Sequence, residues 1–145
     1  MKLSDLKIDP VKVEQGAWVD DIPEMGGLRL RVRGLQNNDF RKMQSRLVEA
    51  EPRQNKPRGR LLPERQEAIT GTCLVETVLL DWDGITDEAD QPIPYSKEQA
   101  KEFLTDPAYR RLRDAVVWAA SVVAEDGVQE TEEAGNSSKK RSAGT

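Results

Sequence analysis

A chain of 145 residues has room for one domain that buries roughly 68–70% of its unfolded surface. With 37% hydrophobic and 33% charged residues it is apolar-poor and charge-rich against the ~45–50% and ~25% of ordinary domains, so part of it is expected outside the core. A net charge of -4 argues against a surface built throughout for phosphate backbones. The absence of histidine removes the commonest neutral-pH base and metal ligand, and the one cysteine, Cys73, excludes an internal disulfide.

No apolar run approaches the ~20 residues that span a bilayer, and residues 1–7 lack the continuous apolar segment of a signal peptide. The expectation is an intracellular, soluble protein with no membrane contact. Further along, Leu28, Leu30 and Val32 alternate with Arg29, Arg31 and Arg33, the period of a strand with one buried face. Pro23, Gly26 and Gly27 supply turn chemistry before it, and Trp18 and Val19 the preceding strand, so a β-hairpin is predicted over 17–34. A two-stranded hairpin is marginal in water, so its apolar face must lie on helices or pair with another chain.

Asn37 or Asn38 can cap a helix over 38–50, in which Phe40, Met43 and Leu47 follow three- and four-residue spacing. Pro52 ends it. A basic, aperiodic loop follows with Arg53, Lys56, Arg58 and Arg60. Pro63 then fits the first turn of a helix over 63–80, whose second half is apolar nearly all round and therefore buried. Asp81 to Gly84 closes that helix, and Asp87, Glu88 and Asp90 form an acidic loop. Ser96 with Gln99 reads as a capping box for a helix over 97–104. Asp106 with Pro107 starts another over 107–124, carrying Tyr109, Leu112, Val116 and Val123 with Trp118 beside the stripe. Residues 125–145, rich in Glu, Gly, Ser, Thr and Lys, cannot bury enough apolar surface to offset their ordering entropy and are predicted to be a disordered tail. The fold class is thus α+β, predominantly helical: one domain over 1–124, a hairpin followed by about four helices, and the tail.

Chemistry is sparse. The acidic residues Asp81, Asp83, Asp87, Glu88 and Asp90 miss the calcium-loop spacing, since counting from Asp81 puts Gly84 at the fourth place and Pro92 at the twelfth. Cys73 sits among apolar helix positions with no histidine to activate it. No catalytic, cofactor-binding or metal-binding residue is assigned, and an enzyme is not expected. Arg29, Arg31, Arg33 and the arginines of the loop, with Arg65, could touch phosphates, yet acidic residues flank them and no aromatic residue is interleaved for stacking. Trp82 and Trp118 read either as core anchors or as interface residues, tryptophan being enriched at binding hot spots.

The ordered set Trp18-Val19, Gly27 to Leu35, Glu76 to Ile85, Pro92 to Ser96, Asp106 to Arg110 and Arg113 to Ala120 resembles the tail assembly chaperones of long-tailed, non-contractile, lambda-like bacteriophages and prophages. The resemblance covers most of the chain to about residue 125. It implies a non-enzymatic protein of the host cytoplasm, absent from the virion, that binds the tape measure protein, keeps it soluble and helps recruit tail tube subunits. It also implies homo-oligomers, and a longer form made by ribosomal frameshifting, for which Ser138, Lys139 and Lys140 could be encoded by a slippery heptamer. The partner-binding residues expected on this reading are Trp82, Trp118, Tyr109, Leu112 and Val116. The alternative is a small nucleic-acid-binding or regulatory adaptor that uses the basic hairpin face and loop; binding that falls steeply with salt would mark it.

Overall fold

The structure is a computed structural model that describes the backbone of residues 1–136 and the side chains of residues 1–125. After a 3-10 turn at Leu3–Leu6 come α1 (Pro10–Gln15), β1 (Ala17–Val19), β2 (Arg29–Val32), α2 (Asn38–Ala50), α3 (Pro63–Thr77), β3 (Leu79–Asp83), α4 (Lys97–Thr105) and α5 (Arg110–Asn136). The architecture is α+β and mostly helical, with a three-stranded antiparallel sheet in the order β1-β2-β3.

The expected hairpin is present: Trp18 lies opposite Arg31 and Val19 opposite Leu30. The helix expected over 63–80, however, ends at Thr77. Residues 79–83 become β3, which pairs with β2 through Leu30 opposite Trp82 and Arg29 opposite Asp83. The physical reason is the free edge of β2. A buried apolar run serves a helix or a strand equally well, and periodicity cannot separate the two. Here the Arg33 N–H donates to the Val78 carbonyl at 2.9 Å, so the chain turns at Val78 and satisfies backbone groups that a lone hairpin would leave open. The partner that the hairpin requires is supplied by its own chain.

Along β2 the alternation is kept, with Leu30 and Val32 buried and Arg29 and Arg31 exposed. The buried face meets α5 through Ala115, Val116, Ala119, Ala120 and Val123, and Leu74, Val75 and Val78 from α3 with Leu104 from α4 complete the core. Gly71 of α3 lies where an added Cβ would stand 2.9 Å from the Leu104 carbonyl oxygen. That contact lets α3 and α4 pack closely.

The start signals hold in detail. Asn37 is the cap of α2, its side-chain oxygen accepting the Phe40 N–H at 2.7 Å. Ser96 accepts from Gln99 at 3.1 Å. Asp106 accepts from Ala108 at 2.9 Å and opens a 3-10 turn, Pro107–Tyr109, that feeds α5. The same Asp-Pro signal at Asp9 and Pro10 starts α1, an element the sequence reading omits. The backbone of α5 continues as helix through Asn136, past the boundary expected at 124. Residues 137–145, with Ser138, Lys139 and Lys140 and the last part of the expected tail, lie outside the described residues.

Candidate interaction surface

Tyr109, the last residue of the 3-10 turn, and Leu112 lie to one side of the start of α5, and Trp118, two and a half turns beyond Tyr109, lies to the other. The β1–β2 connection crosses the helix between them. Two tight steps place it there: the Met25 N–H donates to the Ile22 carbonyl at 3.1 Å and the Leu28 N–H to the Met25 carbonyl at 3.2 Å. Gly84, at φ 90°, lets the end of β3 press on the Gly27 carbonyl, at a distance no Cβ would allow. Glycine adopts that left-handed conformation without steric cost.

Met25 thereby becomes the shared wall of two adjoining grooves. One, of about 500 Å³, lies between Met25, Leu28, Ile85, Ile93, Phe103, Tyr109 and Leu112. The other, of about 270 Å³, lies between Ile22, Pro23, Met25, Ala115 and Trp118. Together they form an apolar trough that bends around α5, one groove on either side of Met25. Its rim carries Asp87 and Glu88 at one end and Glu24, Arg111 and Asp114 at the other.

The trough is backed by a line of aromatic rings running from the core outward. Trp82 packs edge-on to Tyr95 at 5.0 Å and stacks with Phe103 at 5.8 Å, and Phe103 meets Tyr109 at 4.9 Å. The Trp82 indole N–H donates to the Ile93 carbonyl at 2.7 Å, so this ring is both packed and satisfied. Burial raises the Tyr95 hydroxyl above the usual phenol range. In the acidic loop, Asp87 accepts from the backbone of Ala89 at 2.8 Å and of Gln91 at 3.0 Å. Its carboxylate shapes the turn.

Of the five residues expected to bind a partner, Tyr109 and Trp118 are exposed and Leu112 is half-buried on the trough floor. Trp82 and Val116 are buried; in the folded chain they can support the surface from below but cannot touch what lands on it. Met25, Ile85 and Phe103 are trough residues that sequence reasoning missed. Each comes from a different segment, and no local pattern announces that the sheet will bring them to α5.

Half of the residues in the two basic sets, Arg29, Arg33, Lys56 and Arg65, are matched by acceptors of the same chain. Arg29 lies over the Trp18 ring at 4.9 Å and 4.0 Å from Asp83, and Arg33 pairs with Glu14 at 3.2 Å and Asp39 at 2.9 Å. Arg65 clasps Glu51, which holds that carboxyl below its ordinary range, and Lys56 donates to the Glu49 carbonyl at 3.3 Å. Cys73 is buried in α3 with its thiol pushed up by desolvation. Among the described residues no group of three or more Cys, Asp or Glu side chains is placed to hold a metal ion, and no helix is long and apolar enough to cross a membrane.

Searches of curated proteins and of solved structures found no match. A family model described as the YdaY prophage protein matches residues 35–136. That span is more than two thirds of the chain. It takes in α2 to α5 and so most of the trough, leaving out the hairpin segment with Met25. The chain belongs to the YdaY prophage protein family, and its origin is a prophage.

Proposed function

We propose that this prophage protein is a tail assembly chaperone, non-enzymatic, that holds helical segments of the tape measure protein before the tail tube closes around them. The observation that supports this most is the apolar trough of two grooves on either side of Met25. Tyr109 and Trp118 stand two and a half turns apart and so on opposite sides of the helix axis, and a client helix that crosses α5 over Met25 reaches both grooves. Such a client would press apolar side chains three or four residues apart into them. A long helical protein waiting for its tube exposes apolar stripes of that spacing, and covering them prevents their association with one another. The chaperone acts in the host cytoplasm and is left behind when the virion is complete; a frameshifted longer form would add the contact with tail tube subunits.

Co-expression with the tape measure protein of the same prophage tests this. The tape measure protein is expected to move from the insoluble to the soluble fraction and to co-purify with the chaperone. Unchanged solubility with both proteins well expressed would sink the proposal.

A further inference from the structure

Away from the trough, the connection between α2 and α3 is strongly basic: residues 53–60 hold Arg53, Lys56, Arg58 and Arg60 and no Asp or Glu. The segment has a fixed course. Two 3-10 turns, Arg53–Asn55 and Pro57–Gly59, are closed by the Leu62 N–H, which donates to the Asn55 carbonyl at 2.9 Å. Between the second turn and the start of α3 lies a groove of about 730 Å³, lined by Pro57, Arg58, Arg60, Leu61, Leu62 and Pro63. The two leucines are half-buried and the two arginines exposed, so an apolar floor lies beneath cationic walls. Arg58 stands at φ 55°, a left-handed conformation that a residue with a Cβ adopts only at a cost, and such strain gathers at binding sites. The groove shares no residue with the trough.

The charge of this segment is not matched within the described chain. Glu51 is clasped by Arg65, and Glu67 pairs with Arg110. Lys56 donates to a backbone carbonyl, that of Glu49. Among the described residues no carboxylate lies within ion-pair distance of Arg53, Arg58 or Arg60. Against Glu49 and Glu64, the carboxylates left nearby in sequence, stand these four cations, and α2 adds Lys42 and Arg46. A cationic groove with an apolar floor fits a ligand that is anionic and apolar at once. A phosphate backbone would leave the floor unused, no aromatic residue lines the groove for base stacking, and the net charge of -4 opposes a polyanion. We propose that this groove binds an acidic peptide segment of a partner protein. An apolar side chain of the segment rests on Leu61 and Leu62, and its carboxylates meet Arg58 and Arg60, whose planar guanidinium groups each take a carboxylate by two parallel hydrogen bonds. This is a second surface, and it stands whatever client the trough serves.

The test is fluorescence anisotropy of a labelled peptide with two leucines set among glutamates, titrated with the full chain at low salt, with thermal melting as the check on folding. Three further probes are the same peptide with glutamine for each glutamate, the same peptide with serine for each leucine, and a single-stranded DNA oligonucleotide. The acidic leucine peptide should bind, and the two altered peptides and the oligonucleotide should each bind about tenfold less tightly. Arg53→Gln with Arg58→Asn and Arg60→Gln changes three exposed side chains and uses asparagine where the backbone is left-handed. It should melt like the parent and weaken the acidic peptide by about tenfold; Arg60→Gln alone, expected to weaken it severalfold, is the second choice should the triple variant melt early. Lys7→Gln with Arg31→Gln and Lys101→Gln removes as many charges from outside the groove and should leave the affinity unchanged. No binding of the acidic peptide, equal affinity for either altered peptide, undiminished affinity in the loop variant, an equal loss in both triple variants, or oligonucleotide binding as tight as the peptide's would each overturn the proposal. Trp118→Ala should bind the peptide like the parent, which keeps this result apart from the tape measure experiment.

Discussion

The side-chain amide of Asn37 donates to the carbonyl oxygen of Thr77 at 2.9 Å and to that of Gly34 at 2.7 Å, while its oxygen caps α2. One fully buried side chain thus joins the exit from β2, the start of α2 and the last turn of α3. Asn37→Ala removes a cap and leaves buried carbonyls without their donor, so a loss of about 2–4 kcal/mol is expected. Asn37→Asp keeps the cap acceptor but sets a carboxylate against two carbonyls. It should be nearly as damaging, and urea unfolding of the two variants checks both statements.

Gly84 combines a positive φ with the press of its backbone on the Gly27 carbonyl. Gly84→Ala should cost about 2 kcal/mol or more, because it adds strain and forces β3 away from the connection that carries Met25. Gly26 has open space around it. Gly26→Ala is the control, expected to stay within roughly 0.5–1 kcal/mol of the parent in the same melts.

The tryptophans separate structure from surface. Trp82→Ala empties the space between Tyr95 and Phe103 and should lower stability by about 3–5 kcal/mol. Trp118→Ala, at a site 36% exposed, should change it by less than about 1 kcal/mol. Equal losses in denaturant titrations would contradict the assignment of Trp82 to the core and Trp118 to the trough.

Cys73 should resist a water-soluble disulfide reagent in the native protein and react at once in denaturant, because its thiol is buried and its ionisation is pushed up by desolvation. The same shift gives a pH dependence with a definite sign. The unfolded chain ionises first, so stability is retained in full below the ordinary thiol range and falls as pH rises through it toward the raised value. Cys73→Ala should remove that alkaline loss, which melting curves across the range would show.

Much of the architecture was legible because its signals are local. Asn37 and Ser96 each cap the helix they announce, Asp106 caps the 3-10 turn that feeds α5, and the Leu/Arg alternation places β2 with the correct face inward. What was not legible depends on distant pairing. Cys73 to Leu80 is apolar but for Glu76 and Thr77, and only the open edge of β2 decides that helix gives way to strand after Thr77. The trough was half visible. Tyr109 and Leu112 follow from helical spacing and Trp118 from its residue type beside that stripe, whereas Met25, Ile85 and Phe103 reach it through the hairpin, the end of β3 and α4. Asp9 and Pro10 show the opposite case, a clear local start signal for a helix of only six residues.

Calorimetric titration of the purified chain with a soluble helical fragment of the tape measure protein, repeated with Trp118→Ala, tests the chaperone reading most directly. The intact chain should bind the fragment, and Trp118→Ala, with its fold unchanged, should weaken binding by about 30-fold, the ~2 kcal/mol of an interfacial tryptophan anchor. No heat from the intact chain, or equal affinity in the two proteins, would contradict a tape measure chaperone that works through the α5 trough.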